Sequence, residues 1–305
     1  AGMTNGCLRA LSRQKQSLRQ PEDLATRYSH PQTLVELLQQ SVGEEQIEAF
    51  LRADNEIAAT GLQVNTLLSD AQEAEQALTQ LGIAFEKHPW LDGCYLVRGT
   101  GNLAQLELFS SGKVYVQDPS ARFAAMAAGA KPGMRVLDCC AAPGGKSFAA
   151  AIAMQNEGSV TSCDIHAHKV SLIEKGAARL GVSIVHARQA DASQFEPEFE
   201  SGFDVVIADV PCSGLGVLAR RPDIRRRKQD FAAYAALQER ILAKAAALSG
   251  KGASLFYMTC TVNREENEDV VRKAESEGLC RIEAEWKTPV DSPLEGMYGA
   301  RLTVI

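Results

Sequence analysis

No apolar run in this 305-residue chain approaches the ~20 residues that a membrane-spanning helix needs. The greasiest stretch, Ala149 to Met154, is short and alanine-rich, and the N-terminus has no apolar signal core. None of the eight cysteines (Cys7, Cys94, Cys139, Cys140, Cys163, Cys212, Cys260 and Cys280) falls in a C-x-x-C pair, so the usual structural zinc spacing is absent. The five histidines (His30, His88, His166, His168 and His186) take no ligand spacing either, and no metal is expected. A chain this long can build a core without disulfides, so reduced thiols in a cytoplasm are expected. Internal repeats and low-complexity segments are absent. A positive balance is also missing: the net charge is −6, which taken alone argues against a nucleic-acid partner.

The positive charge that exists is concentrated. Residues 1–20 carry Arg9, Arg13, Lys15 and Arg19 and no acid. A denser cluster holds Arg220, Arg221, Arg225, Arg226, Arg227 and Lys228, broken by Asp223. Local density governs phosphate docking, so Arg225–Arg227 are expected to contact phosphate; the alternative is a solvated face.

Apolar residues at helical spacing (Leu34, Val35, Leu37, Leu38; then Ile47, Phe50, Leu51) predict a helical segment over 1–58. Residues 59–117 read as a small α+β unit. Its strands are expected near Leu62–Asn65, Ile83–Glu86, Tyr95–Arg98 and Val114–Gln117, and its helix runs from an Asp70 cap to Gly82. From 118 to 305 strands and helices alternate, with strands at Arg135–Asp138, Ser159–Cys163, Ile184–Ala187, Phe203–Ala208 and Ala253–Met258 and two short strands closing the chain. That alternation predicts an α/β fold with a parallel sheet and helices on both faces. Ligands of such sheets bind beyond the C-terminal strand ends, where Asp138, Asp164, Asp191, Asp209 and Cys260 all fall.

The turn after the first of these strands reads Asp138-Cys139-Cys140-Ala141-Ala142-Pro143-Gly144-Gly145-Lys146. Its small residues admit a ligand to the backbone, and the helix start offers free N–H donors. A phosphate-binding G-x-x-x-x-G-K-[ST] loop fits at Gly145-Lys146-Ser147 but would need glycine at Cys140. The dinucleotide G-x-G-x-x-G pattern is absent. The third reading is a nucleoside cofactor whose amino-acid tail lies on the loop. In it, Asp164 accepts from both ribose hydroxyls and Asp191 from an adenine amino group. The bland reading of each acid is a helix cap.

Cys212 lies in Asp209-Val210-Pro211-Cys212-Ser213-Gly214, and Cys260 in Met258-Thr259-Cys260-Thr261. Ends of neighbouring parallel strands lie about 4.8 Å apart, so the two thiols can face one pocket. A thiolate that adds to C6 of cytosine makes C5 nucleophilic, and a base must then remove the C5 proton to release the thiolate. Lys146 is the candidate for the positive charge, and Asp209 the candidate for hydrogen bonding the ring at N3 or the amino group. Cys139, Cys163 and Cys280 read as packing residues.

At Cys140–Lys146, Asp209–Gly214, Arg221-Pro222-Asp223, Thr259-Cys260-Thr261 and Glu265-Glu266-Asn267 the chain resembles the Nol1/Nop2/Sun family of RNA cytosine-5 methyltransferases. The resemblance covers nearly the whole chain. It implies a Rossmann-like class I methyltransferase sheet that binds S-adenosyl-L-methionine through Cys140, Ala141, Ala142, Pro143, Gly144, Gly145, Lys146, Asp164, Asp191 and Asp209. It further implies Cys260 as nucleophile, Cys212 as the residue that releases product, and an RNA-recognition-like unit at about 61–117. Asn5–Leu11 and Arg27–Pro31 resemble the junction in bacterial 16S ribosomal RNA enzymes of the Sun type, where a NusB-like helical domain comes first. RNA is then the expected partner, 16S ribosomal RNA foremost, for a cytoplasmic monomer without membrane or metal. Transfer RNA is the alternative substrate. A DNA cytosine-5 methyltransferase, with the cysteine roles reversed, and a non-catalytic RNA-binding assembly factor stay open. In two places the chain departs from the family pattern. Cys139 doubles the motif cysteine, and the stretch Thr288–Gly296 is shorter than usual.

Overall fold

Strand cores such as Val205-Val206-Ile207-Ala208 are apolar at every position, so both faces of their sheet must be covered. The computed structural model, which describes residues 2–14, 17, 19, 21–195, 199–290 and 295–305, shows how. Five parallel strands form most of the sheet: β5 (Arg135–Asp138), β6 (Ser159–Asp164), β7 (Val185–Gln189), β8 (Phe203–Asp209) and β9 (Ser249–Thr259). With β10 (Cys280–Lys287) and β11 (Tyr298–Val304) the order is β10-β11-β9-β8-β5-β6-β7. One face packs on Ile241, Leu242 and Ala245 of α10 (Phe231–Leu248) and Val270 and Val271 of α11 (Glu268–Ser276). The other packs on α7 (Pro119–Ala127), α8 (Gly145–Ala153) and α9 (Ala167–Leu180) through Ala124, Phe148 and Ile173.

The closing strands are longer than expected, and β11 runs antiparallel to both its neighbours, between β9 and β10. The connection from Thr288 to Met297 is shorter than the dozen or so residues a parallel crossover needs, so the chain turns back as a hairpin. Part of the shortened stretch, Asp291 to Leu294, lies outside the described residues, as does Lys15 of the first basic cluster. The helix α7 is an element the sequence reading passed over. Asp118 caps it, accepting from the Ser120 N–H at 2.8 Å, with Pro119 in its first turn.

The smaller unit runs β1 (Thr60–Val64), α5 (Ala71–Gln80), β2 (Phe85–Lys87), β3 (Cys94–Val97), α6 (Glu107–Ser110) and β4 (Val114–Val116), in sheet order β2-β3-β1-β4. Asp70 caps α5 by accepting from the Glu73 N–H at 2.8 Å. A buried polar contact fastens this unit to the large sheet: Asn65 donates to the Leu180 carbonyl at 2.8 Å and to the Gly112 carbonyl at 3.0 Å. N-terminal to it, α1 (Gly2–Gln14) buries no residue. Downstream, α2 (Leu24–Arg27), α3 (Gln32–Val42) and α4 (Ile47–Ala53) bury Leu38 and Leu51 against Leu215, Leu218 and Ile224 of the segment after β8. The helical segment therefore braces the loop that follows Cys212.

The glycine loop ahead of α8 is shaped by Phe148. A Cβ on Gly144 (φ +111°) would lie 2.3 Å from the Phe148 ring, and one on Gly176 of α9 would lie 2.5 Å from it. Gly176→Ala would ordinarily favour a helix by roughly 1 kcal/mol. Here the buried ring is wedged between both glycines, so we expect a net loss of about 1–3 kcal/mol by urea unfolding. A variant at least as stable as the wild type would refute the wedge.

Candidate active site

Burial of Asp138 at the end of β5 pushes its carboxyl up to about 6, against the pull of Lys146 and Ser147 and with the help of Asp209. One of its oxygens accepts from the Ser147 hydroxyl at 2.7 Å; the other has no hydrogen-bond partner. The loop then turns over the sheet edge, with the Cys139 N–H on the Ile207 carbonyl (2.9 Å) and the Ala141 N–H on the Cys163 carbonyl (2.7 Å). Ala142 and Pro143 lead to Gly144, whose left-handed backbone starts α8. The first N–H groups of that helix, from Gly145 to Ser147, lie outside its hydrogen-bond ladder. Cys140 sits among three acids. Burial first, and then Asp209, Asp138 and Asp164, push its thiol well above the usual range.

Asp164 ends β6 in a buried position, where one oxygen accepts from the His166 N–H at 2.9 Å and the other lies 3.7 Å from Lys169. Asp191 turns into its own loop, accepting from the Ser193 N–H and hydroxyl and from the Gln194 amide.

Across the site, Lys146 and Asp209 form a close ion pair. Burial opposes the Lys146 ammonium, but Asp209 and Asp138 outweigh it and hold the group above its usual range. Cys212 and Cys260 meet with 3.1 Å between sulfurs. Their strands β8 and β9 are hydrogen-bonded neighbours, in register at Asp209 and Met258. A hydrogen bond to Cys260, burial, and the charges of Cys260 and Glu266 push the Cys212 thiol well above the usual range.

The residues expected at the site stand along the C-terminal ends of β5, β6, β7, β8 and β9. The expected basic surface does not survive intact. Arg225 turns inward, donating to the Asp54 carbonyl at 2.6 Å and to Asn55 at 2.9 Å, so it belongs to the α4 boundary and not to a phosphate face. Arg227 and Arg221 pair with Asp223, and Arg220 bridges Glu295 and Asp118. Arg226 and Lys228 are exposed. The sequence reading also gave no role to Glu266, which is fully buried beneath the cysteines. Its place in a polar run looks like a solvated helix start, and only the Glu265-Glu266-Asn267 motif marks it.

Among the described residues, no helix is long and apolar enough to cross a membrane, and no group of three or more metal-ligating side chains converges.

Comparison with known proteins agrees with the geometry. A "Probable ribosomal RNA small subunit methyltransferase B" of Bacillus subtilis (strain 168) is 40% identical over 280 residues, covering 89% of this chain and 62% of the relative. The chain thus spans about 62% of the length of that curated relative. The crystal structure of PH0851 superposes with a TM-score of 0.88 at 26% identity, over 93% of this chain and 69% of that one. A methyltransferase homolog protein from Pyrococcus horikoshii shares the fold, with a TM-score of 0.82 at 23% identity over 93% and 98% of the two chains. Residues 30–102 match the ferredoxin-like domain of RsmF/B-like methyltransferases. Residues 125–289, more than half of the chain, match the 16S rRNA methyltransferase RsmB/F family, and the chain belongs to that family.

Proposed function

We propose that this chain transfers a methyl group from S-adenosyl-L-methionine to C5 of a cytosine in RNA, with 16S ribosomal RNA as substrate. The observation that carries the reading is the pair of thiols 3.1 Å apart beside the Lys146–Asp209 ion pair.

The residues of the loop fit the cofactor that this fold implies. A buried carboxylate at Asp164, free N–H groups at the start of α8 and a partnerless oxygen on Asp138 suit ribose hydroxyls, an amino-acid carboxylate and a polar ligand group. Cys140 to Lys146 and Asp164 would line it, with Asp191 at the adenine end. Bound there, it supplies an electrophilic methyl group.

The chain's own residues do the rest. The hydrogen bond to Cys260 and burial hold the Cys212 thiol up; Cys260, in Thr259-Cys260-Thr261, acts as nucleophile. Cys260 sulfur bonds to C6, and the C5–C6 π electrons move onto C5 and the ring. Asp209 holds the cytosine by its amino group or at N3, and Lys146 offsets the negative charge. Forming the thioether removes the Cys260 partner that had raised Cys212. Its thiol can then lose its proton to solvent. After methylation the Cys212 thiolate takes the C5 proton, the C5–C6 double bond reforms, and Cys260 leaves as thiolate.

The test uses RNA carrying tritium at cytosine C5 and unlabelled cofactor. Attack at C5 releases tritium to water in step with methylation, and small-subunit ribosomal RNA is expected to outperform transfer RNA. Methyl incorporation without tritium release would overturn C5 as the target; faster release from transfer RNA would overturn the substrate.

A further inference from the structure

We infer that Glu266 is the positioning residue that holds the two cysteines in register, an inference that rests on the roles proposed for Cys212 and Cys260. Glu266 is fully buried, and a carboxylate without water is tolerated only when its oxygens are saturated with donors. Four donors converge on it. One oxygen accepts from the Ser213 N–H at 2.8 Å and the Gln238 amide at 3.0 Å. The other accepts from the Ser213 hydroxyl at 2.5 Å and the Asn263 amide at 3.4 Å.

The donors are placed on either side of the reactive groups. Ser213 follows Cys212 directly, and Gln238, from the middle of α10, also donates to the carbonyl of Pro211, the residue before Cys212, at 2.9 Å. The Ser213 hydroxyl lies 2.8 Å from the hydroxyl of Thr261, the residue after Cys260. Next along the chain, Asn267 treats Cys260 in the same way: it accepts from the Thr259 hydroxyl at 2.5 Å and donates to the Thr261 carbonyl at 3.0 Å. Tyr257 of β9 anchors this turn by donating to the Glu266 carbonyl at 2.6 Å. Each cysteine is thus tied at both flanking residues to one short turn, Pro211 through Gln238 of α10. The sulfurs meet because Glu266 and Asn267 are adjacent in that turn. A neutral apolar residue would fill the same volume at less desolvation cost, but it would place no atom of either loop. The Glu266 charge also helps to keep the proton on Cys212.

The test compares wild type with Glu266→Gln and Ser213→Ala, each first shown by thermal melting to be folded. The probe is diamide, added without RNA or cofactor. Each of the two thiols gives up a proton, two electrons pass to diamide, which becomes its hydrazine, and a Cys212–Cys260 disulfide forms. Mass spectrometry reads it as a loss of two hydrogens. Wild type should cross-link fastest. Both variants should cross-link about tenfold more slowly, the loss expected when one charged hydrogen-bond set is weakened. Turnover should fall by about 100-fold, as for a misplacement near 1 Å, with KM for RNA and cofactor affinity unchanged. Folded variants that cross-link and turn over at the wild-type rate would overturn the inference, as would a fall in stability or KM alone. Should Glu266→Gln not fold, Ser213→Ala, which keeps the carboxylate, decides alone. Slower cross-linking in the variants, in a protein that releases no C5 tritium, would leave the positioning role standing and remove the functional reading instead.

Discussion

Cys260→Ala is expected to abolish methyl transfer, with turnover down by at least about 10⁴-fold, because without the thiolate C5 of cytosine has no route to become nucleophilic. The variant should also fail to form the covalent adduct that wild type forms with RNA containing 5-fluorocytosine, whose C5 fluorine cannot be removed as a cation. Cofactor affinity should be unchanged, since the loop that would hold it begins at a different strand end, that of β5. The measurement is a denaturing gel shift beside methyl incorporation. Cys260 is the proposed nucleophile, and its neighbour Cys212 is raised by the hydrogen bond between the sulfurs and by burial. An adduct formed by Cys260→Ala but not by Cys212→Ala would reverse the roles, as in a DNA cytosine-5 methyltransferase. Unimpaired methylation by both variants would remove covalent catalysis altogether.

Cys212→Ala is expected to behave in the opposite way. The nucleophile is intact, so the first turnover should proceed and RNA should become methylated. The base that removes the C5 proton is gone, so Cys260 stays bonded to C6 and the protein accumulates as an RNA adduct on ordinary cytosine. Steady-state turnover should fall by about 10²–10⁴-fold, the usual contribution of a positioned base, while a single-turnover burst survives. The adduct should resist denaturation and disappear when RNA is digested. A Cys212→Ala protein that turns over at the wild-type rate and leaves no adduct would show that another group takes the proton. The Lys146–Asp209 pair is then the remaining candidate.

Much of this site is legible in the sequence. Strand ends at Asp138 and Asp209 follow from apolar residues that stop at an acid, and the small residues from Cys140 to Gly145 mark a ligand-tolerant turn. Adjacency of Cys212 and Cys260 was readable as two strand ends, because sequential strands in such sheets tend to pair. The Asp70 cap of α5 was equally plain, being a contact across three residues.

Other features depend on groups that arrive from far along the chain. Arg225 looked like part of a phosphate face until α4, 171 residues away in sequence, presented the Asp54 carbonyl to it. Glu266 looked solvated until Ser213 and Gln238 closed over it. The place of β11 between β9 and β10 was hidden because a strand's composition does not name its neighbours. The sequence by itself determined what repeats or caps locally: strand and helix periods, turn residues, and which side chains stand at strand ends. Only the tertiary structure decided which charges are buried and paired, and that the two sulfurs stand at 3.1 Å. Long polar side chains reach several ångströms, and their partners are set by packing between distant segments, which no local pattern records.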